Sequence, residues 1–179
     1  MKRSTTLPFP KMTDLQAWHR RKILNPETLE ETVACLRAGK TLATLNGSFD
    51  LLHAGHLYIL FEASKVADIL LVCVNSDASV RAYKGDKRPI ISLPYRMEML
   101  SAIAFVDFVT SFEETDPRIL LRKVRPDVHV NGAEYGENCI EADVVREIGA
   151  RLHLVERLPC LATSAIVERI VQSCASSVP

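Results

Sequence analysis

The sequence predicts a doubly wound α/β fold: a single five-stranded parallel sheet with helices on both faces and a helical extension at the N-terminus. From residue 40 onward, short apolar runs alternate with amphipathic stretches, which is the order of elements in such a fold. The runs contain few polar residues, as strands that are buried on both faces require. The predicted strands are 41–45, 69–74, 105–110, 127–130 and 151–155.

The stretches between these strands have the apolar spacing of helices that bury one face. The predicted helices are 55–66, 77–81, 94–103, 116–124, 140–148 and 163–171. They lie between successive strands, and the last one closes the chain. A parallel sheet needs such crossover connections, so the helices support the same fold class as the strands.

Residues 1–39 are predicted to form a helical extension of a main domain at 40–179. A first helix is expected at 12–23. A second begins after Asn25, which can cap it, and Pro26 suits its first turn. We expect this extension to pack against the main domain or against a second subunit.

The composition predicts a globular protein that works in the cytoplasm. The chain has 179 residues, of which 47% are hydrophobic, enough for a sizeable core. Its 22 basic and 22 acidic residues cancel, which argues against a nucleic-acid or anionic-membrane partner. No apolar run approaches the roughly 18 residues of a membrane span. The five cysteines are scattered without the spacing of a zinc site, as expected for reduced thiols.

The loop after the first predicted strand has the strongest pattern for ligand binding. In such folds, ligands bind beyond the carboxyl ends of the strands, where the strand order reverses. Gly47 permits a tight turn and a close approach of the backbone to a ligand. Ser48 and Phe49 can present backbone amides to an anion, and the helix that begins near Gly55 offers its own free N–H groups. The loop therefore predicts a phosphate site.

Two histidines lie three residues apart at the start of that helix. His53 and His56 would point to the same side of the first turn, which suits a triphosphate. One alternative is an ordinary helix surface. Another is a metal site, because Asp50 is equally spaced from His53 and the three side chains could form a three-ligand face. The context of strand, glycine turn and histidine pair favours phosphate binding. The other histidines are expected to be structural or, for His19, at the surface.

The loop from Asn46 to His56 reads Asn-Gly-Ser-Phe-Asp-Leu-Leu-His-Ala-Gly-His. It resembles the hallmark of the cytidylyltransferase-like nucleotidyltransferases, in which His-x-Gly-His follows a Gly-[Thr/Ser/Cys]-Phe-Asp turn. It is most similar to the heptose 1-phosphate adenylyltransferases of ADP-heptose synthesis, which have cysteine at position 48. The resemblance covers about residues 40–171 and implies a Rossmann-like fold. The residues of this loop implied to bind the nucleotide are Gly47, Ser48, Phe49, Asp50, His53 and His56.

Other segments acquire expected roles through this resemblance. Lys84 and Arg88 lie in a basic loop where the family has Lys-Gly and Arg-Pro, which implies contacts with phosphates; a solvated run of charges is the alternative. Arg96 matches an arginine that is implied to reach the nucleotide and the leaving phosphates. Asn75 and Asp77 would lie at the rim of the substrate pocket, although a polar loop with a capping aspartate has the same pattern.

The loop after the fourth predicted strand is implied to hold nucleotide or acceptor groups. Its candidates are Asn131, Gly132 and Glu134, in a segment that reads Asn-Gly-Ala-Glu-Tyr where the heptose enzymes have Lys-Gly-Gly-Asp-Tyr. This departure bears on the acceptor. Thr163 and Ser164 match a hydroxyl-rich stretch before the last helix and are candidates to bind the triphosphate. An ordinary helix cap would use the same residues.

The resemblance implies transfer of AMP from ATP to a sugar phosphate, D-glycero-manno-heptose 1-phosphate, with release of pyrophosphate. His53, His56, Lys84 and Arg96 are the predicted catalytic residues. Mg²⁺ is expected to accompany the triphosphate, with Asp50 among its ligands. Alternatives are a cytidylyltransferase that uses CTP and glycerol 3-phosphate or another polyol phosphate, and a nucleotide-binding regulator without activity. A homo-oligomer, dimer or higher, is also expected.

Overall fold

The computed structural model describes residues 15–156 and 163–175. The strands of these residues are β1 (Leu42–Gly47), β2 (Ile69–Asn75), β3 (Phe108–Phe112), β4 (Val128–Gly132) and β5 (Arg151–Val155). All five pair in parallel in one sheet, in the order β3-β2-β1-β4-β5. The chain runs outward from β1 to β3 and returns to β4 on the other side of β1, so the strand order reverses there. The predicted doubly wound α/β fold is confirmed.

Helices connect the strands in the predicted order. Those of the described residues are α1 (Leu15–Arg20), α2 (Leu29–Arg37), α3 (Ala54–Ala63), α4 (Asp77–Lys84), α5 (Leu93–Ser101), α6 (Arg118–Val124), α7 (Ala142–Glu147) and α8 (Thr163–Ala175). None of them is long and apolar enough to cross a membrane. Element ends differ from the prediction by a few residues. Thus β3 begins at Phe108 rather than at residue 105, because residues 102–105 form the turn after α5, in which the N–H of Val106 donates to the carbonyl of Ile103 (3.2 Å).

Buried side chains fill both faces of the sheet. On the face covered by α3 and α5, the core includes Ala43, Leu45, Leu60, Val72, Val74 and Leu100. On the face covered by α2 and α6, it includes Leu29, Val33, Leu42, Leu71, Cys73, Leu120 and Val124. Successive residues of a strand point to opposite faces, so nearly all-apolar strands remove surface from water on both sides. The packed sheet gives the loops at its carboxyl edge a rigid support.

The described part of the predicted N-terminal extension packs against the sheet. The N–H of Leu24 donates to the carbonyl of Val109 (2.8 Å), and the N–H of Val109 donates to the carbonyl of Lys22 (2.8 Å). These bonds form a short parallel bridge along the outer edge of β3. Leu29 and Val33 then enter the core. Packing against the main domain is therefore observed, while contact with a second subunit stays a prediction.

His19 lies in this extension and is buried, with 6% of its surface exposed. Its Nδ1 forms a hydrogen bond with the hydroxyl of Ser101 at the end of α5. The prediction of a surface position is wrong. The neighbouring arginines indicated a solvated helix, but successive residues of a helix point in different directions. Arg20 is exposed while His19 faces the core.

A second buried histidine, His129, lies on β4 with no exposed surface. Its Nδ1 is 2.9 Å from the hydroxyl of Thr44, the residue beside it in register on β1. Its Nε2 has no hydrogen-bond partner among the described residues. Burial lowers its pKa from 6.5 to about 4, because desolvation penalises the imidazolium. The folded protein therefore keeps His129 neutral.

We expect this histidine to make the protein less stable in acid. Above pH 6.5 it is neutral in both the folded and the unfolded state and adds no pH dependence. As the pH falls from 6.5 to 4, the unfolded chain binds a proton that the folded protein excludes, so the free energy of unfolding decreases by up to about 3 kcal/mol. Urea unfolding of wild type and His129→Gln at several pH values across this window measures the effect. A decrease of equal size in both proteins would contradict it.

Candidate active site

A cavity of about 560 Å³ opens at the carboxyl ends of β1, β4 and β5, bordered by the N-terminal ends of α3 and α8. It lies where the strand order reverses, the place at which such sheets bind ligands. The predicted site residues that line it are Gly47, Ser48, Phe49, His53, His56, Lys84, Arg88, Asn131, Gly132, Glu134, Thr163 and Ser164. The fold thus brings widely separated segments together around one cavity. The chemical roles of these residues stay predictions.

The turn after β1 is held by an aromatic side chain. Phe49 has a φ of 45°, in the left-handed region, yet it is 3% exposed and packs in the core. Its ring lies over Gly47, where a Cβ would come 3.1 Å from the Phe49 Cε2 atom. Glycine at position 47 therefore lets the ring fold back across the end of the strand. Burial of the ring offsets the strain of the backbone and fixes the shape of the turn.

His53 and His56 form a stacked pair at the start of α3. Their ring centroids are 3.9 Å apart with planes 24° from parallel, and the Phe49 ring lies 5.4 Å from His56. His53 also caps the helix, since its Nδ1 accepts the N–H of Gly55 (3.1 Å). In the neutral imidazole, an accepting Nδ1 leaves the proton on Nε2. Nε2 of a neutral His53 is therefore a hydrogen-bond donor.

A lysine faces this turn across the cavity. Lys84, the last residue of α4, donates to the Ser48 hydroxyl (2.8 Å). Burial lowers its pKa, and the positive charges of Arg88 and Arg96 lower it further against the opposing effect of Asp50. When the surroundings disfavour the charged form of a lysine, a bound anion stabilises that form. The electrostatics of this part of the cavity suit a polyanion such as a triphosphate.

Asp50 lies behind the cavity wall rather than in it. It is 1% exposed, and its Oδ1 accepts the N–H groups of Ile90 (2.7 Å) and Ile91 (2.8 Å). Its Oδ2 is 2.6 Å from Nε of Arg88. Within residues 15–156 and 163–175, no group of three or more His, Cys, Asp or Glu side chains could hold a metal. The alternative of a three-ligand face with His53 and His56 is therefore wrong. Asp50 does not fit a magnesium ligand while Oδ1 accepts two backbone N–H groups and Oδ2 is paired with the positive charge of Arg88.

Arg96 is fully buried and does not line the cavity. Its guanidinium donates to the carbonyls of Ile91 (2.9 Å), Asn75 (2.9 Å) and Ser48, and to the Asp77 carboxylate (2.7 Å). All three nitrogens therefore have protein acceptors. The predicted contact of Arg96 with the leaving phosphates is wrong for this geometry, because the guanidinium is fully buried and does not reach the cavity. Arg96 instead ties the signature turn to the end of β2 and to the segment before α5.

Asn75 and Asp77 do not reach the cavity either. The Asn75 amide donates to the Ser79 hydroxyl (3.0 Å), and Asp77 accepts the N–H of Leu93 (2.9 Å) as well as Arg96. Ser76 caps α4 by accepting the N–H of Ser79 (3.1 Å). The predicted position at the pocket rim is wrong, since these side chains are used to join β2, α4 and α5. The alternative of a structural polar loop agrees with what is observed.

The loop after β4 forms another wall of the cavity. Asn131 is 9% exposed; its Oδ1 accepts the N–H of Gly132 (3.0 Å), and its Nδ2 donates to the Glu141 carboxylate (3.3 Å). The Glu134 carboxylate folds over Gly132, where a Cβ would come 2.2 Å from Glu134 Oε2. With Glu156, which also lines the cavity, Glu134 makes this end acidic, in contrast to the basic end at Lys84 and Arg88.

Some cavity residues are missing from the sequence-based prediction: Asn46, Tyr58, Ile59, Tyr135, Val155 and Glu156. A signal exists for Glu156, because it directly follows the last strand and so lies at the ligand-binding edge of the sheet. The apolar residues of α3 carry no such signal, since they look like ordinary core positions. Thr163 and Ser164 lie at the start of α8, as predicted, while the neighbouring residues 157–162 are outside the described part of the chain.

Residues 44–172 match the family described as cytidylyltransferase-like. The chain belongs to this family. The matched region runs from β1 into α8 and contains every predicted site residue. Membership makes the chain a nucleotidyltransferase and confirms the resemblance seen in the Asn46–His56 loop.

Two relatives match over most of this chain. It is 44% identical to the "Bifunctional protein HldE" of Campylobacter curvus over 150 residues, which are 83% of this chain and 31% of that protein. The protein of the same name from Helicobacter pylori is 43% identical over 154 residues, 86% of this chain and 32% of its own length. The chain thus spans about a third of the length of these relatives.

Two solved structures resemble this fold. A lipopolysaccharide core biosynthesis protein from Thermoplasma volcanium superposes with a TM-score of 0.55 at 29% identity, covering 67% of this chain and 98% of that one. Pantoate-beta-alanine ligase from Francisella tularensis superposes with a TM-score of 0.59, covering 77% and 68%, but at 15% identity it shows the fold alone.

Proposed function

We propose that this chain transfers AMP from ATP to D-glycero-manno-heptose 1-phosphate, giving ADP-heptose and pyrophosphate. The observation that carries the proposal is the stacked His53–His56 pair, which shares one cavity with Lys84 and Arg88 at the switch point of the sheet. The signature loop matches the heptose enzymes except at Ser48, and the relatives at 43–44% identity bear the name HldE.

The cavity suits in-line transfer of a nucleotidyl group. An oxygen of the acceptor phosphate attacks the α-phosphorus of ATP, the bond to the bridging oxygen breaks, and pyrophosphate leaves with that oxygen. The protein adds no covalent step, so the rate depends on holding the reactants in line and stabilising charge on the phosphoryl oxygens. We assign that stabilisation to the imidazoles of His53 and His56.

The remaining cavity groups bind the nucleotide in this proposal. Lys84 and Arg88 neutralise the triphosphate from one side. Thr163 and Ser164 offer hydroxyls and the N-terminal end of α8 from another side. The backbone around Ser48 and Phe49 seats the nucleotide against the turn. The acidic end at Glu134 and Glu156 can accept hydrogen bonds from hydroxyl or amino groups of either substrate.

Mg²⁺ is proposed to enter bound to the triphosphate. The carboxylate expected to hold it, Asp50, is engaged by Arg88 and two backbone N–H groups. Oxygens of the triphosphate and water are ligands that Mg²⁺ accepts readily, so it does not need a protein cage. We also propose a cytoplasmic homo-oligomer; a monomeric mass in light scattering at micromolar concentration would contradict the assembly.

A second candidate is cytidylyl transfer to glycerol 3-phosphate or another polyol phosphate. It is favoured by Asn131, which replaces the lysine of the heptose enzymes in the wall of the cavity. The exchange removes a positive charge near the place where an acceptor would bind. A regulator that binds nucleotide without turnover is the remaining alternative.

Pyrophosphate release distinguishes these functions. The purified protein is incubated with ATP or CTP, Mg²⁺ and a panel of sugar and polyol phosphates that includes heptose 1-phosphate. We expect release with ATP and heptose 1-phosphate, and little with CTP. Turnover with CTP alone would overturn the heptose assignment in favour of the second candidate. Nucleotide binding without pyrophosphate release for any acceptor would indicate the regulator.

A further inference from the structure

The segment between α4 and α5 is held against the signature turn by one carboxylate. Asp50 accepts two consecutive backbone N–H groups of this segment, from Ile90 and Ile91, on Oδ1. Its Oδ2 faces Arg88 Nε at 2.6 Å. With 1% of its surface exposed, Asp50 is shielded from water, which makes these contacts stronger than on a surface. The position of residues 88–91 therefore depends on Asp50.

Arg88 joins this buried carboxylate to the cavity. Its side chain is 20% exposed and lines the cavity, while its Nε forms a buried ion pair with Asp50 Oδ2 at 2.6 Å that lacks the alignment of a hydrogen bond. Its two terminal nitrogens have no hydrogen bond to any of the described residues. A guanidinium is planar and rigid, so an ion pair that holds Nε in place also restrains the positions of the two terminal N–H₂ groups. Asp50 thus presets the donors that Arg88 offers to a ligand.

The local charge balance fits an anionic ligand. Lys84, Arg88 and Arg96 lie close enough for the two arginines to lower the pKa of Lys84, and Asp50 is the carboxylate that opposes them. Asp77 pairs with Arg96 on the far side. The two cations that line the cavity, Lys84 and Arg88, therefore share one buried anion. A bound triphosphate would supply the charge that is missing.

We propose that Asp50 is a positioning residue for nucleotidyl transfer, which acts through Arg88 to aim two hydrogen-bond donors at the triphosphate, and that it is not a magnesium ligand. This proposal rests on the proposed function, because it needs a nucleoside triphosphate in the cavity. It does not depend on which acceptor the enzyme uses. Arg88 touches the ligand, whereas Asp50 touches Arg88.

The substitution Asp50→Asn separates the two functions of the carboxylate. The amide oxygen of asparagine can still accept the N–H groups of Ile90 and Ile91, but its NH₂ group would face Arg88 Nε donor to donor. Arg88→Ala removes the partner and leaves Asp50 in place. A matched control is Asp116→Asn, because Asp116 also forms an ion pair with an arginine Nε, that of Arg118 at 2.8 Å, but outside the cavity.

The test measures ATP binding by calorimetry, with Mg²⁺ and with excess EDTA, for Asp50→Asn, Arg88→Ala and the double variant. We expect each single variant to weaken binding about 10- to 100-fold, as loss of a charge-assisted hydrogen bond does. The double variant should bind ATP no more weakly than Arg88→Ala does. The losses of affinity should be the same in EDTA as with Mg²⁺. Asp116→Asn should bind as wild type does.

Other results would overturn the proposal. One such result is a double variant whose loss of ATP affinity equals the product of the two single losses. Another is a loss of affinity in Asp50→Asn that appears only with Mg²⁺. Either result would indicate that Asp50 is a metal ligand. If Asp50→Asn does not fold, ATP binding by Arg88→Lys tests the proposal instead. Lysine keeps the positive charge, but its single ammonium group cannot contact the Asp50 carboxylate and the ligand with separate nitrogens, as a guanidinium can. Wild-type affinity in Arg88→Lys would contradict the bridge. Failure of the wild-type protein to bind ATP or CTP would instead refute the proposed function.

Discussion

Replacing His56 by alanine is expected to lower kcat about 10²- to 10³-fold, with a much smaller change in the KM for nucleotide. The imidazole lies at the start of α3, stacked on His53 and facing the cavity. A donor that acts on charge developing at the phosphoryl oxygens stabilises the transition state more than the bound substrate. Steady-state pyrophosphate release, with ATP and the best acceptor of the panel, measures the effect.

Two further variants control this experiment. His153→Ala removes a histidine of β5 that does not line the cavity, and its kcat should stay near that of wild type. His53→Asn keeps a good helix-capping residue while it removes the imidazole, so a large loss of kcat there reports chemistry rather than a frayed helix. Near-normal turnover of a folded His56→Ala protein would exclude the assigned role.

Replacing Arg96 by methionine is expected to lower the free energy of unfolding by about 3–5 kcal/mol. The guanidinium is fully buried and donates to the carbonyls of Ser48, Asn75 and Ile91 and to the carboxylate of Asp77. Its removal leaves several buried acceptors without donors, each at a cost. Urea unfolding monitored by circular dichroism measures the loss, which is a large share of the stability of a typical domain.

The comparison variants for Arg96 separate geometry from charge. Arg96→Lys keeps the charge, but an ammonium cannot reach acceptors in all these directions, so it should recover only part of the lost stability. Arg122→Met breaks an exposed ion pair with Glu147 and should change stability little. If Arg96→Met unfolded at the same urea concentration as wild type, the buried network would not be a major source of stability.

Local patterns in the sequence are sufficient to predict the strands and the turn that surround the cavity. The apolar runs mark all five strands, and Gly47 with the His53–His56 spacing marks the turn that lines the cavity. Chain order alone places these loops at one edge of a parallel sheet. The sequence is less informative about which polar side chains near that edge can contact a ligand and which are bonded to other protein groups. Asp50, Asn75, Asp77 and Arg96 have the chemistry of ligand-binding residues, and all four are used inside the protein.

By itself, then, the sequence determined the fold class, the turn that lines the cavity and the pair of histidines in it, because strand burial, glycine turns and helical spacing are properties of neighbouring residues. Only the tertiary structure decided that Arg88 and Lys84 face the cavity while Arg96 and Asp50 support it from behind. Those assignments depend on hydrogen bonds between residues far apart in the chain, such as the 48 positions that separate Arg96 from Ser48. The partner that satisfies a buried charge is set by packing, which no local pattern records.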